Sequence, residues 1–311
     1  MDKLGRVSRR WQFGWVAAIP LALAACSTTP SSTPSTPSTA AAAGNAVIAV
    51  KIDNVAGARP ATGLGSAEAI YVIPVEGGLT RIIAVFGADR PDVVGPVRSA
   101  RQTDLNLLAQ FGRPTFAYSG SVPQLVSVLR DSPFIRNAAQ AYVPNAYLRR
   151  STHPAPHNLY VRPALLPAGN PPPGDVFAFG PPPAGGTPTT DHRVAYPAAS
   201  FEFRWSAGRW LAWMDGTPYQ SSESGQLGAA SVVVQHVTTT PEAFPEDASG
   251  AVAPVAQTIG TGTATVLRDG QSYPATWSRP TAADPTRYTV AGSGTPLPLA
   301  TGPIWVLLVA V

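Results

Sequence analysis

Cysteine is almost absent from this chain: in 311 residues only Cys26 carries a thiol. Disulfides, cysteine nucleophiles and cysteine-ligated metals are therefore excluded from everything that follows it. Other signatures of chemistry are missing too. No serine sits in a Gly-x-Ser-x-Gly elbow, no P-loop is present, and no cluster of carboxylates marks a catalytic pair. The apolar run over 15–23 is too short to span a bilayer of ~30 Å unaided. Excess positive charge is also scarce once the N-terminus is set aside. Residues 47–162 hold 12 Lys and Arg against 7 Asp and Glu, and residues 163–311 hold 6 against 10. That near-balance argues against a nucleic-acid partner.

The N-terminus is more informative. Arg6, Arg9 and Arg10 precede the apolar run, which closes in Leu23-Ala24-Ala25-Cys26. Small residues before a lone cysteine form the pattern of a bacterial lipoprotein signal, since the peptidase needs narrow side chains there. The alternative is an ordinary secretory signal with an incidental cysteine. On the lipoprotein reading, residues 1–25 are the signal peptide and the Cys26 thiol is acylated. The mature protein is then lipid-anchored on the extracytoplasmic face of the membrane, each buried methylene contributing about 0.8 kcal/mol. Residues 26–44 are Ser, Thr, Pro and Ala with almost nothing to bury, which predicts an extended tether of roughly 3.1 Å per residue. Such a spacer places the folded part within the cell-envelope layer.

The remainder predicts an α+β architecture. Residues 45–162 read as an α/β sheet domain, 163–190 as a Pro/Gly-rich connection, and 191–311 as a smaller, mostly β domain. In the first part, apolar β-branched runs predict strands over 46–52, 69–75, 81–86 and 115–119. The spacing of Ser99 and Gln102 resembles a capping box opening a helix to Gln110, and Pro123 opens a second helix over 124–130. In the second part, strands are predicted over 201–205, 210–214, 231–237, 262–267, 271–277 and 304–309, with Asp269-Gly270 as a hairpin turn. The tryptophans Trp205, Trp210, Trp213, Trp277 and Trp305 either fill a β core or stack on sugars.

Three stretches could carry chemistry. Pro96-Val97-Arg98-Ser99-Ala100-Arg101 places two guanidinium groups at a predicted helix start, where amide donors and the dipole favour an anion. Equally, Arg98 and Arg101 could pair with Glu76, Asp92 or Asp104 and brace the fold. Asp53 and Asn54 lie just past a strand end, followed by Arg59, in the position where open α/β sheets hold ligands; both could instead cap a turn. Arg81 follows the Gly77-Gly78 turn and could face the same crevice. Around His157 and Asn158, the i, i+4 spacing of His153 and His157 suggests a metal site only if the segment is helical, and Pro154 and Pro156 exclude that. No metal or catalytic residue is assigned on this basis, and no cofactor is specified.

Several multi-residue blocks occur here in one order: Ile52-Asp53-Asn54, Ala58-Arg59-Pro60, Val75 through Arg81, Gly95 through Arg101, and Ala155-Pro156-His157-Asn158-Leu159-Tyr160. Together they resemble the YerB-like family of bacterial lipoproteins, which carries a two-part domain of unknown function. The resemblance covers the chain after the tether. It implies an anchor but no reaction. A looser likeness, in the order of Asp53, Arg59, Arg81, Arg98 and Arg101 alone, links the chain to LytR-CpsA-Psr cell-wall transferases. The expectation is an anionic cell-envelope ligand, a lipid or a glycan, held by Asp53, Asn54, Arg59, Glu76, Arg81, Arg98, Arg101, His157 and Asn158. The alternatives are a non-catalytic scaffold for a partner protein and a cell-envelope phosphate-ester transferase or hydrolase.

Overall fold

A computed structural model describes residues 46–246 and 250–311. The stretches read as signal peptide (1–25) and tether (26–44), Cys26 among them, lie outside the described residues. The chain is largely β with few helices, and its two parts contribute to one 11-stranded sheet. The first part supplies β1 (Ile48–Asp53), β2 (Ala69–Pro74), β3 (Thr80–Phe86), β4 (Thr115–Ala117) and β5 (Arg136–Asn137). From the second part come β6 (Asp191–Tyr196), β7 (Ala199–Ser206), β8 (Arg209–Met214), β9 (Ser231–Val237), β10 (Gly260–Arg268), β11 (Gln271–Arg279), β12 (Arg287–Val290) and β13 (Ile304–Ala310). The long sheet runs β12-β11-β10-β9-β13-β2-β3-β1-β4-β5, with the short strand Thr187–Pro188 as its eleventh member beside β11.

The seam between the parts is β13. It pairs in parallel with β9, Ser231 opposite Ile304, and in parallel with β2, Ala69 opposite Ile304. Apolar residues on both faces of β2, β9 and β13 suit strands covered on both sides. One face carries Val50, Ile52, Val72 and Leu307 and packs against Phe201, Phe203, Trp210 and Met214 of the smaller β6-β7-β8 sheet. The other carries Ala49, Tyr71, Ile83 and Val306 and packs against Leu105 and Leu108 of α1 (Gln102–Leu108) and Leu125 and Leu129 of α2 (Pro123–Asp131). The order of layers is helices, long sheet, small sheet.

Of the tryptophans, Trp210, Trp277 and Trp305 are buried and act as core fillers, whereas Trp213 lies under the Arg204 guanidinium at 4.4 Å. The first helix begins later than its apparent capping box suggests. Arg101 is the N-cap, and Asp104 rather than Gln102 closes the box by accepting the Arg101 amide at 2.8 Å. Residues before it stay extended because they hydrogen-bond along β1: Asp53 N–H to Pro96 O at 2.9 Å, and Arg98 N–H to Lys51 O at 2.9 Å. The segment over 163–190 lies along the protein rather than looping free, with Thr187–Pro188 paired to β11 and Phe179 bridged to Leu299. Strand β6 was not foreseen within 191–196.

Candidate functional site

Side-chain alternation along β1 puts Ala49, Lys51 and Asp53 on the helix-covered face. Antiparallel pairing with β3 sets Asp53 opposite Arg81. Between β2 and β3 the chain turns through Glu76, Gly77 and Gly78, the glycines at φ 67° and 71°. That left-handed backbone is open to glycine at little cost. A Cβ on Gly78 would also lie 2.7 Å from Pro197 Cβ. The turn returns Glu76 to within 3.8 Å of Arg81.

Asp53 is fully buried and is the hub of the cluster. Its Oδ1 accepts the Asn54 amide at 2.9 Å and lies 3.7 Å from Arg81 Nη1. Its Oδ2 lies 2.7 Å from His157 Nδ1 and 3.1 Å from Arg98 Nε. A carboxylate can only accept, so Nδ1 is the nitrogen through which His157 donates to Asp53. Arg98 is one-quarter exposed and His157 somewhat less, so the cluster opens to solvent on that side.

Arg81 differs from Arg101. Its side chain is 5% exposed, yet among the described residues its guanidinium donates no hydrogen bond and Nη1 is buried without a partner. Burial pushes its pKa below the ordinary arginine value, Asp53 opposes that, and the nearby Arg98 adds to it. Arg101 is satisfied: it grips Glu76 with two bonds, Nε to Oε2 at 2.9 Å and Nη2 to Oε1 at 2.6 Å, and donates to its neighbour's carbonyl, Ala100 O, at 3.0 Å. Burial raises the Glu76 carboxyl, but those bonds and the Arg101 charge outweigh it and hold the group below its usual range.

The structure thus brings together Asp53, Glu76, Arg81, Arg98, Arg101 and His157. Asn54 turns to the opposite face, donating to Thr80 Oγ1 at 2.8 Å and accepting from Tyr219 Oη at 2.7 Å. Arg59 reaches the second part instead, with Nη2 3.0 Å from Asp215 Oδ2. Asn158 accepts from Arg149 Nη1 at 2.6 Å on the Tyr147–Arg149 and Leu159–Val161 hairpin.

Sequence reasoning missed the buried Lys51–Asp104 pair, 2.6 Å apart with both side chains fully covered. A lysine inside an apolar run two residues before Asp53 was the available signal. It also missed Glu246, 3.1 Å from Arg101 Nε, and Tyr219; both lie more than 140 residues from their partners, and no local pattern marks them. Among the described residues no group of three or more His, Cys, Asp or Glu side chains is placed to hold a metal ion. Two clefts of about 120 Å³ lie elsewhere, one lined by Leu64, Ile70, Arg209 and Trp305, the other by His236, Gln257, Thr261 and Trp277.

Chemically, the cluster offers guanidinium and imidazole nitrogens around a single buried carboxylate, set in a two-part, largely β protein with a shared sheet. The chain belongs to the family described as "Protein of unknown function (DUF3048)": its N-terminal domain matches residues 32–171 and its C-terminal domain residues 192–306. It is similar to "Putative lipoprotein YerB" of Bacillus subtilis (strain 168), 31% identical over 113 residues. That alignment covers 36% of this chain and 34% of the relative, so it spans about a third of the relative's length. A crystal structure of the YerB protein from Bacillus subtilis shares the fold, with a TM-score of 0.69 at 20% identity over 86% of this chain and 91% of that one.

Proposed function

We propose that this protein is an extracytoplasmic lipoprotein, anchored through a lipid on Cys26, whose Asp53 cluster binds an anionic group of a cell-envelope lipid or glycan. The observation that carries the reading is Arg81: a guanidinium 5% exposed whose buried Nη1 has no hydrogen-bond partner among the described residues, beside the partly exposed Arg98, whose Nε is likewise without one. A buried donor without an acceptor costs on the order of 1–3 kcal/mol, more for a charged group. A phosphate oxygen would fill that vacancy in fork geometry. The N-terminal lipoprotein pattern and the relative named as a lipoprotein support the anchor.

The test is a thermal-shift and calorimetric titration of the protein with pyrophosphate, polyprenyl phosphates and wall glycans. Saturation at ~100 times the dissociation constant stabilises the fold by about 2.7 kcal/mol. No shift with any of them would overturn the reading and favour a scaffold for a partner protein, with the arginines as braces, as Arg101 already is for Glu76.

A second reading draws on the Asp53–His157 contact. A carboxylate that fixes an imidazole leaves Nε2 poised as a base, the arrangement a phosphate-ester transferase or hydrolase would use. Release of phosphate from a polyprenyl phosphate that disappears in His157→Ala would support it; absence of turnover in the wild-type protein would remove it.

A further inference from the structure

The Asp53 cluster has one open side. Asp53 is fully buried and Arg81 is 5% exposed, whereas Arg98 and His157, at 25% and 22%, carry the cluster to solvent. The other charged neighbours are committed: Arg101 grips Glu76, and Lys51 is covered together with Asp104. The backbone at the mouth is fixed. Val97 N–H donates to Leu159 O at 2.6 Å and Arg98 N–H to Lys51 O at 2.9 Å, which holds the segment before α1 between β1 and the strand after His157. Gly57 stands beside the imidazole. A Cβ there would lie 3.7 Å from His157 Cδ2, so a glycine leaves that edge of the ring uncovered.

The unmet donors lead inward from this mouth. Arg98 Nε, 3.1 Å from Asp53 Oδ2, and Arg81 Nη1, 3.7 Å from Oδ1, are both buried without a hydrogen-bond partner among the described residues. Two guanidinium groups share one carboxylate, since Arg101 holds Glu76, and one positive charge is left over. An oxyanion that meets donors at both depths has to enter head first. A terminal phosphate does so with three unesterified oxygens and a single substituent trailing to solvent. A phosphate esterified on both sides offers only two such oxygens, and its second substituent has no exit.

We propose that the Asp53 cluster selects a terminal phosphate: a phosphomonoester bound end-on, its ester group leaving past Arg98, His157 and Gly57. This rests on the anion-binding role proposed above and narrows it. The end of a lipid or sugar monophosphate fits; an internal phosphodiester does not.

The experiment is calorimetric titration of the full chain, at about pH 8, with methyl phosphate and with symmetrical dimethyl diphosphate, esterified once at each phosphorus. Both carry about two negative charges at that pH, so charge alone does not separate them. Methyl phosphate should bind about tenfold more tightly, the effect of one charge-assisted hydrogen bond. The preference should collapse in Arg98→Ala, which locates it at the cluster. Geranyl phosphate and glucose 1-phosphate should each also exceed the dimethyl diphosphate, and the tighter of the two assigns a lipid or a sugar to the group beyond the mouth. Equal affinities for methyl phosphate and dimethyl diphosphate, or a preference that survives in Arg98→Ala, overturn end-on selection and leave the anion site standing. Binding of neither ester, nor of pyrophosphate, overturns the anion site itself and the selection with it.

Discussion

His157 hydrogen-bonds through Nδ1 to Asp53 Oδ2 at 2.7 Å, across 104 residues of chain. That contact ties the loop carrying His157 to the end of β1. Asp53 is thereby a fully buried carboxylate shared by Arg81, Arg98 and an imidazole.

Asp53→Asn removes the charge that offsets the two guanidinium groups. Breaking a buried pair by deleting one partner costs about 3–5 kcal/mol, so the variant should melt well below the wild type. Added pyrophosphate should restore part of the loss, giving a larger thermal shift in Asp53→Asn than in the wild type. Equal stability and equal shifts would show that Asp53 does not balance the arginines.

The Tyr219 hydroxyl donates to Asn54 Oδ1 at 2.7 Å and links the second part to the end of β1. Tyr219→Phe leaves a buried acceptor unfilled, which costs about 1–3 kcal/mol. Denaturant unfolding should move to a lower midpoint with an unchanged slope. A midpoint equal to the wild type would mean that this bond adds nothing to the joint.

Lys51 and Asp104 form a fully buried ion pair between β1 and α1, and burial lowers the Lys51 pKa against the pull of Asp104. Asp104→Ala strands the Lys51 ammonium and should cost about 3–5 kcal/mol, whereas Lys51→Met/Asp104→Leu should recover most of it. Chemical denaturation of the three proteins separates these outcomes. A double variant no better than the single one would assign the loss to the Arg101 amide, which Asp104 also accepts.

The raised carboxyl of Glu246 gives a pH dependence with a definite sign. Its folded pKa, about 8, exceeds the ordinary 4.5, so the folded state holds the proton longer than the unfolded chain does. The stabilisation is full below about 4.5 and is lost as pH rises through 8. The stability difference between the wild type and Glu242→Gln/Glu246→Gln should therefore open against the wild type across that window. A pH-independent difference would contradict the raised Glu246 carboxyl.

What was legible in the sequence follows from the range of each interaction. Strands β2, β3, β9 and β13 announce themselves because apolar β-branched runs answer to local burial alone. The polar blocks around Asp53, Glu76, Arg81, Arg98 and His157 were visible as candidates, but their meeting depends on the β1–β3 register and the Gly77-Gly78 turn. The parallel joins that β13 makes with β2 and β9 left no local mark, since each links segments far apart in the chain. Arg59 was misleading for the same reason: its partner, Asp215, comes from a hairpin 156 residues away. The helix start slipped from Ser99 to Arg101 because hydrogen bonds to β1 outweighed a local capping preference.

The most direct measurement of the central claim is calorimetric titration of pyrophosphate into the wild-type protein and Arg98→Ala. Arg98 is partly exposed, so this variant should keep the fold. Saturable binding by the wild type that falls at least tenfold in Arg98→Ala, with both proteins unfolding cooperatively, is the predicted result. Binding unchanged by the substitution, or no binding by the wild type, would contradict an anion site at the end of β1.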